Sequence, residues 1–273
     1  TTISIKLGQG KKDEAEKVIG NAVTLSVIIA VILTIIGIVF GEFILTKFGA
    51  SESTLYYAKS YIYIILLGTV FNMIAFTFNN TIRADGNPKL AATIMVIGCL
   101  TNIVLDAVLI FGFNMGIQGA AIATIISQLI TAIMGLKYYI SGKSNLKLKK
   151  SNLKLNKSIL LKILAIGASP FAMQIAASLV QVISNNVLRV YGTDIAIGAM
   201  ATISSISLMC LMPIFGINQG AQPIIGFNYG AKQENRAQEA YKLSLFAATI
   251  ILGRAMILFQ SFPEAKTVKF KNT

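Results

Sequence analysis

Four stretches of this chain, residues 18–40, 60–82, 115–136 and 163–188, contain no charged side chain, and a fifth, 90–113, contains one, Asp106. The hydrocarbon core of a bilayer is about 30 Å thick and takes about 20 apolar residues in a helix. Inside that core every backbone amide must be satisfied within the fold, and unbroken apolar runs of this length satisfy themselves as helices. Two further stretches extend the pattern. Residues 195–231 are uncharged over 37 positions, too long for one untilted span, and hold Pro213 and Pro223; one kinked helix running past the interface is predicted. Residues 243–262 form a seventh apolar stretch, interrupted by Arg254. The expected fold class is therefore all-α, a polytopic transmembrane helix bundle with at least six membrane-length helices. Composition agrees: 13% of residues are charged, against roughly 25% in a soluble domain.

The net charge of +13 invites a nucleic-acid reading, but Lys and Arg cluster between the apolar runs rather than along one face. The partner they imply is the bilayer surface, and no nucleic acid is expected. Residues 6–17, 83–89, 137–162 and 232–242 hold 17 of the 24 Lys and Arg, whereas 41–59, 112–116 and 189–194 hold three. The positive-inside rule places the first set in the cytoplasm. Lys266, Lys269 and Lys271 after residue 262 run against that rule, as does Arg254 within its span, and an altered or truncated end is expected there. Thr1 is likewise expected to be a truncation point, since neither Met nor a signal peptide precedes Gly8. Cys99 and Cys210 lie in apolar runs and the chain has no His. Neither a disulfide framework nor a Cys/His metal site is indicated, and no cofactor is expected.

The connections are short except at 141–158. This segment divides the chain into residues 1–141, a basic cytoplasmic linker at 142–157, and residues 158–273. Its alternating Leu and Lys suit either an amphipathic interfacial element or a solvated linker, the latter being preferred. Gly142-Lys143-Ser144 is not a phosphate loop, because Lys137 stands where that motif needs Gly and a membrane helix precedes it.

A shift of 222 residues aligns Ile3 with Ile225, Gly8 with Gly230 and Ala15 with Ala237, each in a basic loop between spans. The shift equals six spans and preserves orientation, as parallel repeats of a two-half transporter would. Three motifs then become informative: Arg83-Ala-Asp-Gly-Asn-Pro-Lys-Leu-Ala; Asn102-Ile-Val-Leu-Asp106 followed by Gly116-Ile-Gln-Gly-Ala-Ala-Ile-Ala-Thr124; and Gln219-Gly-Ala-Gln-Pro-Ile-Ile-Gly-Phe-Asn-Tyr-Gly-Ala-Lys232. In residues and spacing they resemble the multidrug and toxic compound extrusion (MATE) family, in its bacterial multidrug-efflux branch. The resemblance implies a two-lobe inverted-V fold of twelve helices, of which seven or eight are present, lacking the first span and the last three. It further implies a bacterial inner-membrane protein, not an enzyme, that works by secondary active efflux. Its substrates would be amphipathic or cationic compounds, exchanged for H⁺ or Na⁺, and a monomer is expected.

Asp106 is the one acidic residue deep in the five clearest spans, and a carboxylate in hydrocarbon is costly enough to face the protein interior or water. Asn102 stands one helical turn earlier, on the same face. By the resemblance, Asn102, Asp106 and Thr124 form part of a cation site; a buried, structurally hydrogen-bonded Asp is the alternative. Gln174, Ser178, Gln181 and Asn185 recur at helical spacing, and Asn72 and Asn79 form a shorter polar stripe. Each stripe suits either a substrate cavity or interhelical hydrogen bonding. Met173 is a candidate for an adaptable apolar cavity wall, with core packing as the alternative. A lipid-linked saccharide flippase is the nearest rival in transport, but it would use cationic cavity residues, and the five clearest spans contain no Lys or Arg. A channel or receptor would leave the repeat unexplained, and a non-transporting truncated remnant remains an open alternative.

Overall fold

Each apolar run is helical, and three of the helices, those over 18–40, 60–82 and 163–188, extend past their run at both ends. The computed structural model describes residues 1–47, 52–191 and 194–261, with a few helical side chains, Asn185 among them, outside that description. The helices are α1 (Thr2–Gly8), α2 (Lys12–Lys47), α3 (Glu52–Ala84), α4 (Pro88–Asp106), α5 (Gly116–Ile140), α6 (Lys157–Tyr191), α7 (Asp194–Gly230) and α8 (Glu234–Ser261). The extensions carry charged residues. α2, for example, opens on Asp13 and Glu14 and closes on Lys47, the signs that the helix dipole favours at each end. α4 starts at Pro88, with the Asn87 side chain accepting from the Leu90 amide at 3.3 Å as its N-cap. The stretch with two prolines is one continuous helix, α7, as predicted. Among the described residues, seven helices are long and apolar enough to cross a membrane.

α3 packs against α2 and α5, and α4 against α5, while α7 packs against α8 and also against the short α1. The best-buried side chains, including Ile19, Phe78, Ile82, Tyr139 and Leu146, gather at the end of the α2–α5 group that carries the basic loops. Elsewhere large apolar side chains face outward, among them Val39, Phe43, Phe111 and Phe171, as lipid contact requires.

The linker departs from the preferred reading. It is packed against the α2–α5 group as a strap, with a 3₁₀ turn at Lys150–Leu153. Leu146 is fully buried, and Leu148 packs against the same core. Side chains of the membrane helices take up its backbone groups. Glu16 accepts from the Lys147 amide at 3.0 Å, Asp85 from the Asn145 amide at 2.9 Å, and Asn21 from the Asn156 amide at 2.7 Å. The Asn21 amide donates to the carbonyls of Asn152 and Lys154, and Thr24 donates to that of Leu153. A chain that has given up helical bonding needs such partners, and here they come from α2 and from Asp85, just past the end of α3.

The 222-residue repeat is visible bond by bond. α1 ends at Gly8 and α2 begins at Lys12; α7 ends at Gly230 and α8 begins at Glu234. In the first turn Gln9, Gly10 and Lys11 donate to Ile5, Leu7 and Lys6, and in the second Ala231, Lys232 and Gln233 donate to Phe227, Tyr229 and Asn228. The left-handed residue also recurs, as Gly10 (φ 72°) and Lys232 (φ 58°).

Candidate functional site

A cavity of about 360 Å³ opens among α3, α4 and α5 and reaches α7. Its polar lining comes from Asn72, Asn79 and Asn80 of α3, Asn102 of α4 and Thr124, Ser127, Gln128 and Thr131 of α5, with Phe76, Ile94 and Met95 as apolar wall. In a membrane helix such residues need a partner or water. Several find one locally: Thr124 and Thr131 donate back along their own helix, and the Asn79 amide donates to the Ala91 carbonyl at 2.8 Å, tying α3 to α4.

Asn102 and Asp106 do not. Asn102 Nδ2 and Asp106 Oδ1 are buried and, among the described residues, have no hydrogen-bond partner. A buried polar atom left open costs about 1–3 kcal/mol, more when charged, so two such atoms one turn apart beside a polar cavity form a candidate binding site. The backbone marks the same place. Directly after Asp106 the helix widens into a π-helical turn, Ala107–Gly112, an irregularity found often at functional positions. Asn102 and Thr124 both line the cavity, while Asp106 lies one turn beyond its lining.

Asn72 and Asn79 join this cavity; the α6 residues do not. Gln174, Ser178, Gln181 and Met173 lie on an exposed stretch of α6 away from it, Met173 being 72% exposed. The Asn185 side chain lies outside the described residues.

Four lining residues escaped the sequence reading although their signal was present: Ser127, Gln128 and Thr131 recur at helical spacing after Thr124, and Asn80 adjoins Asn79. Arg83 is a correction. Sequence put it in a loop, which made the spans look free of cationic groups. It lies instead in the last turn of α3 and reaches the cavity, because that helix continues past its apolar run. Its guanidinium donates to Gln219 of α7 and contacts Met95 Sδ at 3.0 Å. Arg83 and Gln219 also line a second crevice, with Gly86, Pro88, Pro223 and Phe227, on the basic-loop side.

Outside the spans, Asp85 caps the strap. Burial raises its pKa, opposed by hydrogen bonds from Tyr138 and from the backbone of Asn145 and Leu146, and by the charge of Lys12.

The MatE family model matches residues 1–108 and 170–266. The chain belongs to the MatE family. Among its relatives is the multidrug export protein MepA of Staphylococcus haemolyticus, 26% identical over 256 residues, an alignment that covers 94% of this chain and 56% of that protein. The chain thus spans about half the length of the curated relatives it matches. Of the solved structures, one named protein A is 38% identical with a TM-score of 0.91, covering all of this chain and 61% of that one. A multidrug resistance MATE family transporter in an outward-facing conformation is 24% identical with a TM-score of 0.87, covering 94% and 57%. At that identity the likeness concerns the fold, which is the MATE-like helical arrangement.

Proposed function

We propose that this MatE chain forms the central part of a secondary active efflux transporter that exports amphipathic or cationic compounds in exchange for H⁺ or Na⁺. The observation that carries this reading is the pair of buried, unpartnered atoms on Asn102 and Asp106 beside a polar cavity. Asp106 supplies a carboxyl group that can take up a proton or face a cation, and Asn102, one turn away, offers a second open polar group to the same ion. Na⁺ would be held by oxygen atoms, which Asp106, Asn102 and Thr124 can offer. The cavity, with its amide and hydroxyl lining and apolar wall, suits an amphipathic guest. Occupation by the ion biases one arrangement of residues 1–141 against 158–273, and its differential affinity for the two arrangements drives release of the substrate.

Asp106→Asn tests this in the native polypeptide that carries the chain, reconstituted in vesicles. The amide keeps the size but cannot exchange a proton or carry the charge. Gradient-driven export should fall by at least about a hundredfold, with folding and insertion unchanged, and running H⁺ and Na⁺ gradients separately identifies the ion. Export near the parental rate refutes the ion site. For the flippase reading, Arg83 provides a cationic cavity group, but its guanidinium is engaged by Gln219.

A further inference from the structure

The repeat places two equivalent helix ends against each other. α1 crosses the end of α7, the most extensive contact between the two halves of the chain. A Cβ at Gly8 would overlap the Phe227 carbonyl, and a Cβ at Gly230 would overlap the Ile5 carbonyl. Under the 222-residue shift Gly8 corresponds to Gly230 and Ile5 to Phe227, so the contact is isologous, each helix presenting the same glycine to the same backbone position of the other. A pseudo-twofold axis runs through this crossing. Only glycine lets two backbones approach so closely.

The crossing lies at the basic-loop end, below the cavity. Between the two stands Arg83, whose bond to Gln219 joins the halves and which lines both the cavity and the crevice beneath it. We infer that the α1–α7 glycine crossing, latched by Arg83 on Gln219, is the gate that closes the cavity toward the basic-loop side. Packed interfaces of this kind have discrete arrangements rather than a continuum, which suits a gate. Arg83 acts as a positioning residue: a cationic guest in the cavity competes with its guanidinium for the Gln219 amide oxygen. The inference rests on the transport reading, and the test separates the two.

Cys99 lines the cavity and serves as the probe. In the native polypeptide with Cys210→Ala, a membrane-impermeant maleimide is applied from the basic-loop side in inverted vesicles. Gly230→Leu cannot close the crossing, so labelling of Cys99 should accelerate about tenfold over the parent; equal rates overturn the gate. A second variant needs no bulky side chain. In a Cys99→Ala, Cys210→Ala background, Ser4→Cys with Gly226→Cys places the two Cβ atoms about 3.1 Å apart, slightly under the roughly 3.5–4.5 Å of a disulfide. A small shift of either helix admits the bond. Oxidation should cross-link the pair and stop export, and reduction should restore it. Absence of the cross-link, or undiminished export by the cross-linked protein, overturns the gate. If the reduced protein exports nothing while Cys99 labelling still responds to Gly230→Leu, the transport reading fails and the gate stands.

Discussion

Two polar clusters sit in the same group of helices and are completed in opposite ways. At the basic-loop end, Glu16, Asn21, Thr24 and Asp85 are met by the backbone of the strap, and Lys149 Nζ stands 2.6 Å from Glu16. Four buried atoms at this end also lack a hydrogen bond, Ser4 Oγ, Ser144 Oγ, Asp85 Oδ1 and Glu16 Oε2, the last of which meets the Lys149 ammonium as an ion pair. Farther along α4, Asn102 and Asp106 each hold a buried atom that nothing among the described residues completes. Both clusters cost desolvation. The first recovers most of it by closing the chain on itself, which is what structure requires; in the proposed transport reading the second recovers it by binding an ion.

If that contrast is right, substitutions should separate stability from coupling. The largest stability effect is expected at Glu16, whose side chain is 3% exposed. Glu16→Ala strands the Lys147 amide and leaves the exposed Lys149 ammonium with Asp13 alone, and should cost about 2–3 kcal/mol through the lost buried hydrogen bond. Thermal melting reads the loss, and trypsin should cut the strap faster near Lys147 and Lys149. An unchanged melting curve would mean that the strap is decoration.

A matched pair sharpens the comparison. Asn21→Ala removes the acceptor for Asn156 and donors to two strap carbonyls, and should cost about 1–2 kcal/mol with coupling intact. Asn102→Ala should leave melting nearly unchanged, since its Nδ2 bonds nothing, yet weaken ion coupling. The reverse pattern breaks the distinction between the clusters.

The smallest effect concerns pH. Because burial raises the Asp85 pKa, the folded state favours the protonated acid. Its contribution is therefore full below the ordinary aspartate range and is lost as pH rises through the raised value. Asp85→Asn should flatten that slope in melting temperature against pH. An identical slope in the variant would place the titration elsewhere.

The helices were legible in the sequence because charge is excluded from hydrocarbon over whole spans, so residues 18–40 or 163–188 need no context to be recognised. Asn102 and Asp106 stand out in the sequence for a related reason: a carboxylate and an amide one turn apart in an apolar run are costly to leave unpaired. The strap was not legible. Its docking depends on Glu16, Asn21 and Asp85, which lie 60 to 135 positions away from the strap residues they bind and read locally as ordinary polar residues beside basic loops. Arg83 escaped because a helix end in a charged turn has no apolar signature. The α6 stripe shows the converse, since helical spacing of Gln174 and Ser178 indicates a shared face but not what that face meets.

The most direct test of the central claim measures binding to the open cluster itself. Thermal melting of the parent and of Asp106→Asn should be followed across Na⁺ concentration at fixed pH, and across pH without Na⁺. A ligand that binds the folded state raises stability in proportion to the logarithm of its saturation, about 2.7 kcal/mol at a hundred times the dissociation constant. The account predicts that the parent melts at higher temperature as one of the two ions is added and that Asp106→Asn loses that dependence while melting no lower in its absence. The same ion dependence in both proteins would contradict it.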